Sequence, residues 1–160
     1  MSLVCFDTQI IIWGVKKQAT PGQEPNIDKA EFLIEQCEKD KIQVMLPSIV
    51  VAELLCAIDP SQYSAFNQIM QSRFMIIPFD MIAAAYFGKM WQERKKIESK
   101  KIEGISRAEM KADLMIIATA LSRKAECIYS EDGPLTRFAQ DFIEVRPLPV
   151  SMKQLSIEET

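Results

Sequence analysis

The chain has 160 residues, of which 48% are hydrophobic and 26% charged, a composition that suits one soluble globular domain with a substantial core. Its net charge of −3 argues against a protein dedicated as a whole to nucleic-acid binding. Histidine is absent, which excludes catalytic triads, histidine bases and histidine metal ligands. No apolar run is long enough to span a bilayer and no signal peptide is predicted, so we expect a cytoplasmic protein with no membrane partner.

Predicted strands and helices alternate along the chain. Short apolar runs predict strands at 3–6, 42–46, 74–78, 127–130 and 142–145. A helix or turn is expected at 8–15. Further helices are expected at 27–39, after Ser48 as N-cap, at 63–71, at 81–98 after Asp80, and from the capping box of Ser106 and Glu109 to 123. Gly133-Pro134 is predicted to form a turn.

The alternation predicts one α/β domain, with a mainly parallel sheet of about five strands covered by helices on both faces. We expect this domain to span 1–149 and a loosely held tail to span 150–160. In such sheets ligands gather at the carboxyl ends of the strands. The four cysteines have no C-x-x-C spacing, which favours buried free thiols in a reducing cytoplasm.

Three acidic residues each stand alone inside an otherwise uncharged, mostly apolar stretch. Asp7 is the only charge in the first fifteen residues, Glu53 interrupts 49–58, and Asp113 interrupts 112–121. Such stretches are usually buried, and a lone buried carboxylate is costly unless a positive or hydrogen-bonding group meets it. Arginine and lysine are absent from these windows, so a shared metal ion is the simplest partner for all three.

A fourth acid, Asp132, follows the predicted fourth strand as Asp7 follows the first. If these strands are neighbours, the two acids flank one crevice, which Glu53 and Asp113 can enter from helices. Two carboxylates about 4 Å apart repel by about 4 kcal/mol at an effective dielectric constant of 20, so such a group must be screened, protonated or bound to a cation. Oxygen ligands select hard ions, here Mg²⁺ or Mn²⁺, which activate water and stabilise charge on a phosphoryl group. The predicted reaction is phosphodiester hydrolysis.

Each acid also has a purely structural interpretation. Asp7 and Asp113 could cap helices, Glu53 could be an exposed residue of an amphipathic helix, and Asp132 could be an ordinary turn residue. The four could also be unrelated surface groups, in which case their carboxyls would lie too far apart to share an ion.

Four motifs occur in order along the chain: Phe6-Asp7-Thr8, the stretch 48–54 around Glu53, the stretch 113–120 that begins at Asp113, and Tyr129-Ser130-Glu131-Asp132. Together they resemble the PIN-domain nucleases, in particular the bacterial toxin-type PIN ribonucleases, over roughly 3–145. The family's last motif more often reads Thr-x-Asp-x-Asp or Thr-x-Asp-x-Phe, whereas this chain has Ser130-Glu131-Asp132-Gly133-Pro134.

The resemblance implies a three-layer α/β/α domain with strand order 3-2-1-4-5 and an acidic Mg²⁺ or Mn²⁺ site that cleaves single-stranded RNA. It also implies frequent homodimerisation and, in many bacterial members, neutralisation by an antitoxin protein. By position, Asp7, Glu53, Asp113 and Asp132 match the metal-binding catalytic acids. Thr8 and Ser130 match the supporting hydroxyls, and Glu131 is the alternative fourth acid.

Residues 89–111 carry eight basic and four acidic side chains, a local excess of about four positive charges. One interpretation is a solvated helix with salt-bridging pairs. The functional interpretation is a strip that contacts the RNA backbone, for which the candidates are Arg94, Lys95, Lys96, Arg107 and Lys111.

Two rival functions use the same residues. A catalytically degenerate PIN fold would bind RNA or a partner protein without cleaving it. Haloacid-dehalogenase-like phosphatases also begin with a strand and an aspartate, but they need a second aspartate two residues later, where this chain has Gln9.

Overall fold

The computed structural model describes residues 2–95 and 106–150, which form one five-stranded parallel sheet with seven α-helices. The strands are β1 (Leu3–Phe6), β2 (Gln43–Pro47), β3 (Met75–Ile77), β4 (Cys127–Tyr129) and β5 (Glu144–Arg146). The helices are α1 (Thr8–Gly14), α2 (Pro25–Lys39), α3 (Ser48–Leu55), α4 (Tyr63–Arg73), α5 (Met81–Lys95), α6 (Arg107–Ser122) and α7 (Gly133–Ala139), and a 3₁₀ turn spans Pro60–Gln62.

The order of the strands is β3-β2-β1-β4-β5, which confirms the predicted topology. The chain moves from β1 toward β3 in its first half and then returns past β1 to β4 and β5. Because parallel crossovers are right-handed, this reversal places the two sets of helices on opposite faces of the sheet. The reversal also makes the carboxyl ends of β1 and β4 the place where a ligand site is expected.

The central strands form because they are short and almost entirely apolar. Val4, Cys5 and Phe6 of β1 are buried, as are all residues of β2 after Gln43. Strands buried on both faces read as continuous apolar runs, because neither face meets water. The register pairs Cys5 with Ile128 and Phe6 with Tyr129, so β1 and β4 end side by side.

Helix ends agree with the predicted capping chemistry at two places. Ser106 Oγ accepts from Glu109 N at 3.1 Å and the Glu109 carboxylate accepts from Ser106 N at 3.4 Å, so the predicted capping box is confirmed. Asp80 Oδ1 accepts from Ala83 N at 3.0 Å near the start of α5. The predicted continuation of α5 to residue 98 lies outside the described residues, as does the tail from residue 151.

Two local predictions were wrong. Ser48 is the first residue of α3 and not its cap; its hydroxyl instead accepts from Phe79 N at 3.3 Å. Gly133-Pro134 begins α7, because proline is favoured in the first turn of a helix where its missing N–H costs nothing. The predicted short fifth strand is confirmed, at Glu144–Arg146.

The cysteines are free thiols, and three of them, Cys5, Cys37 and Cys127, are buried, while Cys56 is exposed. None of the helices within the described ranges is long and apolar enough to cross a membrane.

The contact between α1 and α2 predicts a sharp difference between two glycines. A methyl group at Gly14 would stand 2.6 Å from Ile34 Cδ1 and 3.2 Å from the Ala30 carbonyl carbon, whereas one at Gly88 in α5 would meet nothing within 4 Å. We expect Gly14→Ala to lower the free energy of unfolding by about 1–3 kcal/mol through overpacking. Gly88→Ala should raise it by about 0.5–1 kcal/mol.

Urea denaturation followed by circular dichroism measures both changes. Equal effects of the two substitutions would contradict the close approach of α1 to α2.

Candidate active site

The centre of the candidate site is Asp7, which follows β1 directly and is only 6% exposed. Its Oδ1 accepts from Thr8 N at 2.7 Å and its Oδ2 accepts from Ser130 Oγ at 2.8 Å. The Asp7 backbone N–H donates to Tyr129 O at 3.1 Å, which extends the pairing of β1 with β4 by one residue. Strand pairing therefore sets the position of this carboxylate, and two hydrogen bonds set its orientation.

Ser130 joins Asp7 to Asp132. The Ser130 hydroxyl, which is buried, donates to Asp7 and accepts from Asp132 N at 3.0 Å. Asp132 Oδ1 accepts from Leu135 N at 3.0 Å and caps α7. The hydroxyl thus orients one carboxylate while it fixes the backbone that carries a second.

Thr8 joins Asp7 to Glu53 on the other side. Its backbone N–H binds Asp7, and its Oγ1 donates to Glu53 Oε2 at 3.2 Å. Glu53 lies in α3, which follows β2 and so also begins at the carboxyl edge of the sheet. Both hydroxyl positions implied by the resemblance, Thr8 and Ser130, therefore contact candidate acids.

Asp113 reaches the same place from α6. A cavity of about 210 Å³ lies at this edge of the sheet, and it is lined by Glu53, Glu109, Ala112, Asp113, Asp132 and Pro134. Asp7 is not among the lining residues, but its charge acts on both Asp113 and Glu53. The structure therefore brings all four predicted acids together at one edge of the sheet.

The titration of these groups reflects their burial and their like charges. Burial raises the pKa of the Asp7 carboxyl, against the hydrogen bonds from Ser130 and Thr8. Burial and then the charge of Asp7 raise the pKa of Glu53. Burial, followed by the charges of the neighbouring acids, raises the pKa of Asp113 to about 7. Each shift has the direction expected when carboxylates are crowded and desolvated.

The expected burial of the acids holds for Asp7 alone. Glu53 is exposed as a residue, although its carboxyl end turns toward the cavity, and Asp113 and Asp132 are half-buried. The apolar neighbours of Glu53 were a poor guide, because Ala52 and Cys56 are exposed as well. An apolar helix can leave one side open to solvent where it borders a cavity.

Two of the candidate acids cap helices as well as belonging to the acidic cluster. Asp7 is the N-cap of α1 and Asp132 is the N-cap of α7. Asp113, in contrast, lies inside α6 and caps nothing, since Ser106 is the N-cap of that helix. Capping and clustering are compatible because a carboxylate has two oxygens and several acceptor positions.

Two acids differ from the prediction. Glu131, the alternative fourth acid, is exposed as a residue and its Oε1 accepts from Leu148 N at 2.7 Å, so it holds the segment after β5 and does not line the cavity. Glu109 was assigned only to the capping box, yet it lines the cavity. It lies four residues before Asp113, a spacing that puts two side chains on the same face of a helix and could have revealed it.

The donor set has the chemistry of a hard-cation site, since carboxylate and hydroxyl oxygens suit Mg²⁺ or Mn²⁺. The charged groups that most affect Asp113 are all acidic. Across residues 2–95 and 106–150, no group of three or more acidic or cysteine side chains is arranged to hold an ion as it stands. Mutual repulsion favours separated carboxylates, so the side chains would have to move closer to ligate a cation.

The basic candidates lie beside α6 and not in the cavity. Arg94, Arg107 and Lys111 all face the ring of Trp91, at the contact between α5 and α6. The side chain of Lys95 and the whole of Lys96 lie outside the described part of the chain.

The sheet order and the acidic edge define a PIN-like α/β domain. The family model of the PIN domain matches residues 4–140, and the chain belongs to this family. Among curated proteins, no match to the chain was found.

Solved structures share the fold over nearly the whole chain. VapBC2 from Rickettsia felis, bound to a DNA fragment from its promoter, is 19% identical with a TM-score of 0.65, covering 92% of this chain and 99% of that one. DNA-bound VapBC from Salmonella typhimurium is 18% identical with a TM-score of 0.65, covering 93% and 100%. VapBC-1 from nontypeable Haemophilus influenzae is 17% identical with a TM-score of 0.62, covering 91% and 98%. At these identities the likeness concerns the fold.

The crowded acids predict that Asp113→Asn stabilises the cation-free protein. The folded-state pKa of Asp113 is raised from 3.8 to about 7, so its contribution to stability is complete below about pH 4 and is lost as the pH rises through 7. The asparagine variant should lose less stability between pH 5 and 8. At pH 8 its free energy of unfolding should be higher by about 1–2 kcal/mol, a value reduced for solvent screening of a half-buried group.

Urea denaturation in EDTA across this pH range provides the measurement. Asp141→Asn, at an exposed aspartate between α7 and β5, is the matched control and should follow the unmodified protein. Parallel pH profiles for Asp113→Asn and the unmodified protein would show that Asp113 does not share the crowded site.

Proposed function

We propose that the protein is a divalent-metal-dependent endoribonuclease that hydrolyses phosphodiester bonds of single-stranded RNA. The observation that supports this most is the hydrogen-bonded chain from Glu53 through Thr8, Asp7 and Ser130 to Asp132, beside the cavity that Asp113 enters. A group of acids this costly to assemble is expected where a cation and a phosphoryl group are bound.

We assign cation binding to the four acids and their positioning to the two hydroxyl groups. Asp7, Glu53, Asp113 and Asp132 would hold Mg²⁺ or Mn²⁺, which when bound supplies water activation and charge stabilisation at the phosphorus. Ser130 and Thr8 keep the carboxylates of Asp7 and Glu53 in place by hydrogen bonds. Outer groups that orient ligand carboxylates in this way typically contribute 10- to 100-fold to metal affinity or activity.

The proposed biological role is that of a toxin that is held inactive by an antitoxin protein in the cytoplasm, where its thiols stay reduced. Support comes from the fold, which is shared with structures described as toxin-antitoxin complexes, among them one from Klebsiella pneumoniae with a TM-score of 0.57. Met81 and Ile82 of α5 are 85% and 54% exposed, and large exposed apolar side chains often mark contacts with other proteins. We also propose that the protein forms a homodimer.

The second candidate is a degenerate PIN fold that binds RNA or protein without cleavage. The arrangement of the acids favours the enzyme over this candidate. Helix capping accounts for Asp7 and Asp132, but a module that only binds RNA gains nothing from Glu53 and Asp113 beside them, because anionic groups repel the RNA backbone.

Cleavage is the direct test of the nuclease. Labelled single-stranded RNA should be cut in the presence of Mn²⁺ or Mg²⁺, and EDTA should stop the reaction. Asp7→Asn and Asp113→Asn should each lower the rate by roughly 100-fold or more, because each removes a charge that the site needs only with the cation and substrate bound.

Asp141→Asn serves as the control, since it removes one exposed carboxylate away from the cavity. Cleavage that survives both Asp7→Asn and Asp113→Asn would reject the assignment of the site.

Cation binding separates the enzyme from the degenerate module. Titration calorimetry should show Mn²⁺ binding that Asp7→Asn abolishes and Asp141→Asn leaves intact. The same binding should raise the unfolding free energy by about 2.7 kcal/mol when free Mn²⁺ reaches 100 times its dissociation constant. An isotherm that is absent, or unchanged in Asp7→Asn, would favour the degenerate module.

A further inference from the structure

Three basic side chains converge on one indole ring at the contact between α5 and α6. The Arg94 guanidinium carbon lies 3.9 Å from the centroid of Trp91, the Arg107 guanidinium carbon 5.4 Å, and Lys111 Nζ 5.5 Å. We name Trp91, Arg94, Arg107 and Lys111 the Trp91 cluster. Like charges disperse in solution unless something holds them, so their shared contact with one ring requires an explanation.

The ring is itself fixed in place. Phe87 stacks on Trp91 with a centroid separation of 6.0 Å and an angle of 14° between the rings. Arg94 is also anchored, since its Nη1 donates to Met110 Sδ at 2.9 Å. Cation–π attraction to the ring offsets part of the repulsion among the cations. These contacts give the three basic side chains a defined position beside one ring.

The Trp91 cluster shares α6 with the carboxylate cavity. At 100° per residue, Arg107 and Lys111 lie on the side of α6 that meets α5, whereas Glu109 and Asp113 lie on the side that faces the cavity. The two sites are therefore separated by about the width of one helix, roughly 10 Å. A strand that crosses the first turns of α6 can contact both.

We propose that the Trp91 cluster binds the phosphate backbone of the single-stranded RNA that is cut at the cavity, a few nucleotides from the cleaved bond. This inference rests on the proposed function. The protein carries a net charge of −3, so RNA needs a local positive region to approach an acidic site. Trp91 is stacked on Phe87 and covered by Arg94, which suits it to position cations more than to stack on a base.

Binding is tested first, in EDTA, by fluorescence anisotropy of a labelled single-stranded RNA at several salt concentrations. Arg107→Gln with Lys111→Gln should weaken binding about 10- to 30-fold at 0.1 M salt. The slope of log affinity against log salt should fall in magnitude by about 1.4, since each phosphate contact on a single strand contributes about 0.7. Lys39→Gln, at an exposed lysine that ends α2, is the matched control and should change neither quantity.

Trp91→Leu tests whether the indole ring holds the three basic side chains in position for RNA. It removes no charge, yet it should weaken RNA binding several-fold, provided that thermal unfolding shows a folded variant. If Trp91→Leu does not fold, the double glutamine variant alone decides. Binding by the double variant equal to that of the unmodified protein would overturn the proposal.

A second substrate separates this proposal from the nuclease itself. Bis(p-nitrophenyl) phosphate has a single phosphate, which cannot contact the Trp91 cluster while it is cleaved at the cavity, so its Mn²⁺-dependent hydrolysis should be the same in the double variant and the unmodified protein. Cleavage of an RNA oligonucleotide should show a raised KM in the double variant only. Hydrolysis of neither substrate by the unmodified protein would reject the nuclease, while the anisotropy data would still decide whether the cluster binds RNA.

Discussion

The pairing of β1 with β4 is the constraint on which the site depends. Two adjacent pairs, Cys5 with Ile128 and Phe6 with Tyr129, align strands that are more than a hundred residues apart in the chain. Because both strands are parallel and end together, Asp7 and Ser130 emerge next to each other and close a 2.8 Å hydrogen bond. Burial of the apolar strands provides the free energy for this alignment.

The site stores electrostatic strain that the fold can tolerate. Like charges and burial raise the pKa values of Asp7, Glu53 and Asp113. Backbone N–H groups at the starts of α1 and α7 offset part of this strain by donating to Asp7 and Asp132. The same oxygens would attract a cation, since capping a helix leaves acceptor positions free on each carboxylate.

Much of the fold follows from the sequence because its signals are local. The apolar runs of β1 and β2 and the capping box at Ser106 each require only neighbouring residues, and the structure confirms them. The start of α7 was missed because Gly133-Pro134 signals a turn and a first helical turn equally well. Glu53 is exposed and Glu109 lines the cavity because of the way in which α3 and α6 face each other. A short stretch of sequence does not contain that information.

Helix α6 carries acidic side chains on one side and basic side chains on the other. Its side toward the cavity carries Glu109 and Asp113, and its side toward α5 carries Arg107 and Lys111. A helix with acidic and basic side chains on opposite sides has little overall amphipathicity. Its sequence is therefore equally consistent with a solvated helix that carries salt-bridging pairs. The fold separates the two sets of charges by about the width of one helix, roughly 10 Å. This distance is close to the screening length at about 0.1 M salt, so the cations do not neutralise the acids.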